Sequence, residues 1–298
     1  MKIITYHYIR NFSKGYPYFN SLYKKDFLKQ LDFFEKKFGI IENENEIYKK
    51  NNKVLLTFDD GLKEHLFAAK ELAKRKKIGI FFPLTKNFEK KKELLNVHKT
   101  HLILGKINPK IALEDLKFYL NKFNGKKVQN LINPKFKKIY KFFNDDENKN
   151  QFKKIINYSN LNNLKSKEFA LNSLLKKYKI KIKPKNFYLT EKEIKFISNL
   201  GMIVGCHTHS HHLLSNLSYE MQSIEIRKSK KFLKNLLSKE IKFFCYPYGN
   251  KHSFNKNTIK LLKKNKFYYS FTDIHKSVSL KKFKSKPFEI PRYDCNQF

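Results

Sequence analysis

Long apolar runs and a paired set of cysteines are both missing from this sequence of 298 residues. No stretch of 18 or more apolar residues occurs, which argues against a membrane-spanning helix. The cysteines, Cys206, Cys245 and Cys295, are an odd count without zinc-finger spacing, as is typical of reduced cytoplasmic proteins. The first residues are too polar for a secretory leader. We therefore expect a cytoplasmic protein without a membrane span, and the oligomeric state stays open.

Arginine is also rare, and its rarity decides how the large positive charge is interpreted. Lysine and arginine total 64 against 26 acidic residues, a formal net charge of +38, yet only four of the basic residues are arginines. Base readout and bidentate phosphate binding favour arginine, whereas these lysines are scattered over many segments. The charge therefore predicts a solvated basic surface and no specific nucleic-acid partner. Anionic lipids and nucleotide-linked sugars stay open as electrostatic partners.

The remaining pattern is that of an α/β protein. Hydrophobic residues make up 41% of the chain, enough for a large core, and short apolar strands alternate with amphipathic helices over residues 1–84 and 190–298. These two blocks are predicted to form one domain. Residues 85–189 are rich in Lys and Asn, with Leu, Ile and Phe at helical spacing. We expect this segment to be a mostly helical insertion or cap, because it is too long for a structureless loop.

Three chemically distinctive segments follow predicted strands, where active sites gather in parallel α/β folds. They are Asp59-Asp60, the run 207–212 with its four histidines, and Tyr246-Pro247-Tyr248-Gly249. Two imidazoles and a carboxylate form a ligand set for a divalent metal, and a second carboxylate can then accept a proton from water. By contrast, His98 and His101 have no carboxylate nearby and are predicted to lie in a polar turn.

Taken together, these segments resemble the motifs of the polysaccharide deacetylase superfamily, the fourth carbohydrate-esterase family. Residues 57–61, Thr-Phe-Asp-Asp-Gly, match its first motif, residues 207–211 match its His-Ser/Thr-x-x-His motif, and residues 244–249 are similar to its third. The resemblance covers residues 1–84 and 190–294. It implies a distorted (β/α) barrel and a carbohydrate N-deacetylase that depends on a divalent metal.

The resemblance also implies roles for particular residues. Asp59 is then the general base, and the backbone N–H of Tyr248 stabilises the oxyanion. The implied metal ligands are Asp60, His207 and His211, and the implied substrate or oxyanion segment is Tyr246, Pro247, Tyr248 and Gly249. Zinc is the default metal for such ligands, although iron, cobalt and nickel also fit.

The sequence departs from the family pattern at several positions. Cys245 stands where many members have the arginine that orients the catalytic aspartate, and Arg292 is our candidate to replace it. The family's Asp-x-x-Asp-Trp motif is absent, since the chain has no tryptophan. His7, in a Tyr-His pair on the first strand, is similar to the N-terminal acid of some members. We choose it as the general acid over His275.

The sequence therefore predicts a hydrolase that removes an acetyl group from an N-acylated sugar. Because no export signal is apparent, we expect the substrate to be an intracellular precursor of a surface glycan. Two alternatives stay open: a deformylase of a lipid-linked amino sugar, and a catalytically inactive basic protein that binds nucleic acid or acts as a scaffold. The metal content of the pure protein separates the last of these from an enzyme.

Overall fold

The computed structural model describes residues 1–11, 15–89, 93–127, 131–132, 145–159 and 164–298. They divide into two compact units. The first comprises Met1–Asn11, Ser21–Lys92 and Pro184–Phe298, and the second comprises Phe12–Asn20 and Glu93–Lys183. Parts of the predicted insertion, at 90–92, 128–130, 133–144 and 160–163, lie outside the described residues.

The first unit is built on parallel strands, as the sequence predicts. The strands are β1 (Lys2–Tyr6), β2 (Val54–Asp60), β3 (Gly79–Pro83), β4 (Ile203–Val204), β5 (Phe243–Cys245), β6 (Tyr269–Phe271) and β7 (Tyr293–Asp294). A five-stranded sheet has the order β4-β3-β2-β1-β7, and β5 pairs with β6. Single parallel bridges join Cys206 to Phe244 and Phe271 to Ile290. The two sheets are thus linked in a ring of neighbouring strands, in which single bridges replace continuous hydrogen-bonded pairing at two places. The predicted α/β class is confirmed.

Helices separate the strands of the first unit and make up the second unit. They are α1 (Lys24–Lys37), α2 (Glu44–Ile47), α3 (His65–Lys74), α4 (Asn96–Lys106), α5 (Pro109–Asn124), α6 (Glu147–Asn157), α7 (Leu164–Lys177), α8 (Glu191–Asn199), α9 (Tyr219–Leu237), α10 (Lys256–Lys264) and α11 (Leu280–Ser285). A capping box of Thr190 and Glu193 opens α8. The predicted polar turn at His98–His101 is wrong, because these residues lie within α4.

Aromatic rings fill the space between the sheet and α3. Phe58 on β2 stacks on Phe81 of β3 at 4.5 Å and on Tyr6 of β1 at 5.4 Å, and His65 of α3 meets Phe58 edge-on. Successive residues of a strand point to opposite faces. With Phe58 on the helix side, Asp59 therefore points to the opposite face, into the centre of the ring of strands.

The second unit is helical. Helices α4, α5, α6 and α7 pack on one another. On α5, Leu113, Leu116 and Leu120 are buried at the predicted helical spacing, whereas Ile111 is exposed. Within the part of the chain that the structure describes, no helix has the length and apolar character needed to cross a membrane.

Candidate active site

The carboxyl ends of the strands bring Asp60, His207 and His211 together in a buried cluster, called the Asp–His cluster below. Asp60 Oδ1 lies 3.4 Å from His207 Nε2 and 3.5 Å from His211 Nε2. All three side chains are buried. The residues that the family motifs identify as metal ligands are therefore neighbours in space, although about 150 positions separate the aspartate from the histidines.

The backbone at this cluster is in conformations that non-glycine residues seldom adopt. Asp60, Thr208 and His211 all have positive φ, at 75°, 67° and 60°. In a regular strand Asp59 and Asp60 would point to opposite faces, but the turn at Asp60 lets both carboxylates meet His207. The Thr208 hydroxyl accepts a hydrogen bond from the His211 backbone N–H at 3.1 Å, which stabilises the turn between the histidines.

A hydrogen bond fixes the tautomer of His207. Its Nδ1 lies 2.9 Å from the carbonyl oxygen of Cys245, an atom that can only accept. In the neutral ring Nδ1 therefore carries the proton, and Nε2, the nitrogen that faces Asp60, has the lone pair that a metal would bind. A histidine held in this way is oriented for metal binding.

The dimensions of the Asp–His cluster fit a divalent metal. Bonds of about 2.1 Å in a tetrahedral zinc site put neighbouring donor atoms about 3.4 Å apart. The donor separations of 3.4 and 3.5 Å agree with that value. Two imidazole nitrogens and one carboxylate oxygen are also the donor types that zinc, iron, cobalt and nickel accept. These residues can therefore hold such an ion and leave further coordination positions open.

Asp59 lies beside the cluster and is held by Arg292. The guanidinium donates from Nη1 to Oδ1 at 2.9 Å and from Nη2 to Oδ2 at 2.7 Å, and it also donates to Thr57 Oγ1 and to the carbonyl of Thr272. Burial by itself would raise the pKa of Asp59, but the charge and hydrogen bonds of Arg292 outweigh it and hold this pKa well below its usual range. Asp59 is therefore an oriented carboxylate at neutral pH.

The position of Cys245 explains why Arg292 is needed. The thiol lies 3.3 Å from Asp59 Oδ2 and is buried, so it can donate only a weak hydrogen bond to the carboxylate. The Thr5 hydroxyl is a further donor to Oδ2, at 3.4 Å. Thr5 is not among the site residues predicted from the sequence, although its two-residue offset from His7, which follows β1, indicates a shared face.

His7 follows β1 and lies on the same side as Asp59. Its Nε2 is 3.9 Å from Asp59 Oδ2, and its side chain is 37% exposed, so the ring borders both the carboxylate and solvent. The His7 carbonyl oxygen lies 2.8 Å from His65 Nε2, which anchors the end of the strand. The other candidate acid, His275, has its Nε2 3.9 Å from Asp273 Oδ1.

The segment Tyr246–Gly249 has both structural and site-facing residues. The buried Tyr246 stacks on Phe254 at 4.0 Å and donates from its hydroxyl to the carbonyl of Phe288. Its phenol is therefore occupied by protein contacts. The next two residues lead into a turn, where Tyr248 has φ 64° and its ring meets His211 edge-on at 4.8 Å.

The turn after Tyr248 needs a glycine. Gly249 has φ 55°, and a side-chain carbon there would lie 2.5 Å from the backbone nitrogen of Asp273. This close approach holds the turn against Asp273, and Pro247 is buried within the turn.

His209 is turned away from the cluster. Its Nδ1 bonds the Thr85 hydroxyl at 2.9 Å, and its Nε2 lies near Lys228 and Glu89. It therefore has contacts of its own within the loop and is not one of the clustered ligands.

Comparison with known proteins gives a consistent picture. Residues 132–270 match the family model described as polysaccharide deacetylase. This match includes His207 and His211 and leaves out the motif at 57–61, which we compared by its residues alone. No curated protein matches the sequence.

Solved deacetylase structures share the fold. The Streptococcus pyogenes deacetylase PplD in complex with acetate is 15% identical with a TM-score of 0.58, covering 99% of this chain and 91% of that one. IcaB from Ammonifex degensii is 15% identical with a TM-score of 0.54, covering 98% and 90%. A de-N-acetylase from Aggregatibacter actinomycetemcomitans is 11% identical with a TM-score of 0.53, covering 98% and 93%. The resemblance to the polysaccharide deacetylase superfamily is therefore confirmed, in sequence over residues 132–270 and in fold over nearly the whole chain.

Proposed function

We propose that this protein is a metal-dependent hydrolase that removes the acetyl group from an N-acetylated sugar. One observation carries the proposal: a buried Asp–His cluster with metal-site dimensions lies next to a second carboxylate that Arg292 holds ionised. A metal site that only stabilises the fold does not require a second carboxylate, whereas amide hydrolysis requires a group that accepts a proton from water. The family match supports the same reaction class.

The residues divide the chemistry between them. Asp60, His207 and His211 would hold the ion, which when bound polarises the amide carbonyl and acidifies water. Asp59 accepts the proton of the attacking water. Arg292 keeps this carboxylate oriented and ionised until the proton arrives.

The leaving group and the oxyanion need two further groups. The backbone N–H of Tyr248 would donate to the oxygen that gains negative charge, since its turn lies against His211. His7 would protonate the departing amine, because its ring is exposed on one side and close to Asp59 on the other. Without such a proton an amine leaves poorly.

Several finer points belong to the same proposal. The metal is zinc, and the substrate is an intracellular precursor of a surface glycan, so the protein acts in the cytoplasm. The donor set of two imidazoles and one carboxylate supports zinc. The three free cysteines support a reducing compartment. A net charge of +38 suits a substrate linked to a phosphate.

The test is hydrolysis of N-acetylglucosamine derivatives by the zinc-loaded protein, with release of acetate measured. Wild type should release acetate, and Asp59→Asn should not. N-formylated derivatives run in parallel: faster release of formate than of acetate would favour the deformylase alternative. A pure protein that binds no divalent metal and hydrolyses neither amide would overturn the proposal in favour of a basic binding protein.

A further inference from the structure

The loop that carries the two metal-binding histidines needs support from outside itself. This histidine loop, residues 207–212, contains two non-glycine residues with positive φ, Thr208 and His211. Such conformations cost free energy and persist where the surroundings fix them. Within the loop, the His211 N–H donates to the Thr208 hydroxyl in a local turn contact.

Glu225, on the second turn of α9, supplies that support. Its Oε2 accepts the backbone N–H groups of His209, at 3.0 Å, and of Ser210, at 2.8 Å. Its Oε1 accepts the Ser210 hydroxyl at 2.6 Å. The side chain is buried, with the residue only 4% exposed, so these three donors replace the water that an ionised carboxylate would otherwise bind.

The other side of the loop is fixed as well. The Lys86 backbone N–H donates to the His209 carbonyl at 2.9 Å. The middle of the loop is thus held between the segment after β3 and helix α9, with His207 and His211 at its two ends.

We propose that Glu225 is a positioning residue of the metal centre: by holding the middle of the histidine loop, it sets the separation and orientation of His207 and His211. This inference rests on the proposed function. Glu225 does not touch the metal or the substrate and acts through the loop backbone. Partners that orient metal ligands typically change metal affinity by about 10–100-fold when they are removed.

The test is zinc binding, measured by competition with a chromophoric chelator on metal-free protein. Glu225→Ala should raise the zinc dissociation constant by about 10–100-fold. Glu225→Gln should stay close to wild type, because its amide oxygen can accept both N–H groups and its NH₂ can donate to Ser210 Oγ. Glu225→Asp keeps the charge but is one methylene too short, so it should bind zinc more weakly than Glu225→Gln. Glu220→Ala, at an exposed position of α9, is the control and should match wild type.

The outcomes separate this inference from the function it rests on. If wild type itself fails to bind zinc, the proposed function is wrong. If wild type binds zinc and Glu225→Ala binds it equally well, the positioning role alone is wrong. If Glu225→Ala fails to fold, the zinc affinities of Glu225→Gln and Glu225→Asp are compared instead. Tighter zinc binding by Glu225→Asp would show that the charge matters and the side-chain length does not, which would overturn the inference.

Discussion

Arg292→Met tests whether one buried ion pair organises the site. In the structure Arg292 is 1% exposed and donates two hydrogen bonds to Asp59, which is 2% exposed. Methionine removes the charge and the donors while it keeps most of the side-chain volume. Asp59 is then left as a buried carboxylate without its cation. Burial, the largest influence on the pKa of Asp59, would raise that pKa once Arg292 is gone.

The size of the effect follows from the burial of both partners. Removing one partner of a buried pair costs about 3–5 kcal/mol, because the other charge stays desolvated. That loss corresponds to a decrease of about 5–8 °C in melting temperature for a chain of 298 residues, given an unfolding entropy of about 2.1 cal/mol/K per residue. Since Asp59 has a lowered pKa in the folded protein, its stabilisation is present above the unfolded value of about 4 and is lost as the pH falls through the folded value. The difference between wild type and variant should therefore shrink below about pH 4.

The assays are thermal unfolding and the pH dependence of kcat/KM for deacetylation. In Arg292→Met the acidic limb of the kcat/KM profile should move to higher pH, since Asp59 must lose a proton before it can act as a base. Arg75→Met is the matched control, because Arg75 is partly exposed and its pairs with Asp32 and Glu71 should contribute about 1 kcal/mol or less. A melting temperature for Arg292→Met equal to that of the control, with an unmoved acidic limb, would refute the reasoning.

Three further predictions concern other parts of the chain. His7→Ala should lower kcat for amide hydrolysis by about 10²–10⁴-fold with zinc retained, and by less for an activated ester. If His7→Ala keeps a near-normal kcat while His275→Ala is inactive but zinc-loaded, His275 is the acid. Burial lowers the pKa of Lys167 to about 8. Between about pH 8 and 10 the folded protein releases this proton and the unfolded chain keeps it, so wild type should gain stability relative to Lys167→Met as the pH rises. A difference in unfolding free energy, measured with urea, that stays constant over this range would contradict the prediction. Binding to duplex DNA at low salt should fall steeply with added salt and show no sequence preference, and tight specific binding at physiological salt would be the contrary result.

Much of the fold could be predicted because local patterns agree with it. The strand at 54–60 is mostly apolar before its two aspartates, and the capping box at Thr190 predicts the start of α8. Strand ends were also predictable as the place where Asp59, Asp60 and the histidine loop meet, since parallel strands bring their carboxyl ends to one edge. The helix at 96–106 was not predicted at His98–His101, because burial against neighbouring helices, and not its polar local sequence, decides it.

Contacts that depend on tertiary packing were harder to predict. Arg292 lies 233 residues from Asp59, and its choice rested on the family resemblance and on the small number of arginines. Glu225 gave no signal at all, since one glutamate on an amphipathic helix is an ordinary surface residue until the fold buries it against the histidine loop. Interactions of this kind follow from the packing of α9 and not from any local spacing.

The central claim is that two adjacent aspartates have different tasks, and zinc content measures this directly. Asp60→Asn and Asp59→Asn are matched changes, purified in parallel, stripped with chelator, reloaded with zinc and analysed by atomic emission. We predict that Asp60→Asn loses both zinc and acetate release, whereas Asp59→Asn keeps about one zinc per chain and loses turnover. Equal zinc loss in both variants, or retained zinc in Asp60→Asn, would contradict the account.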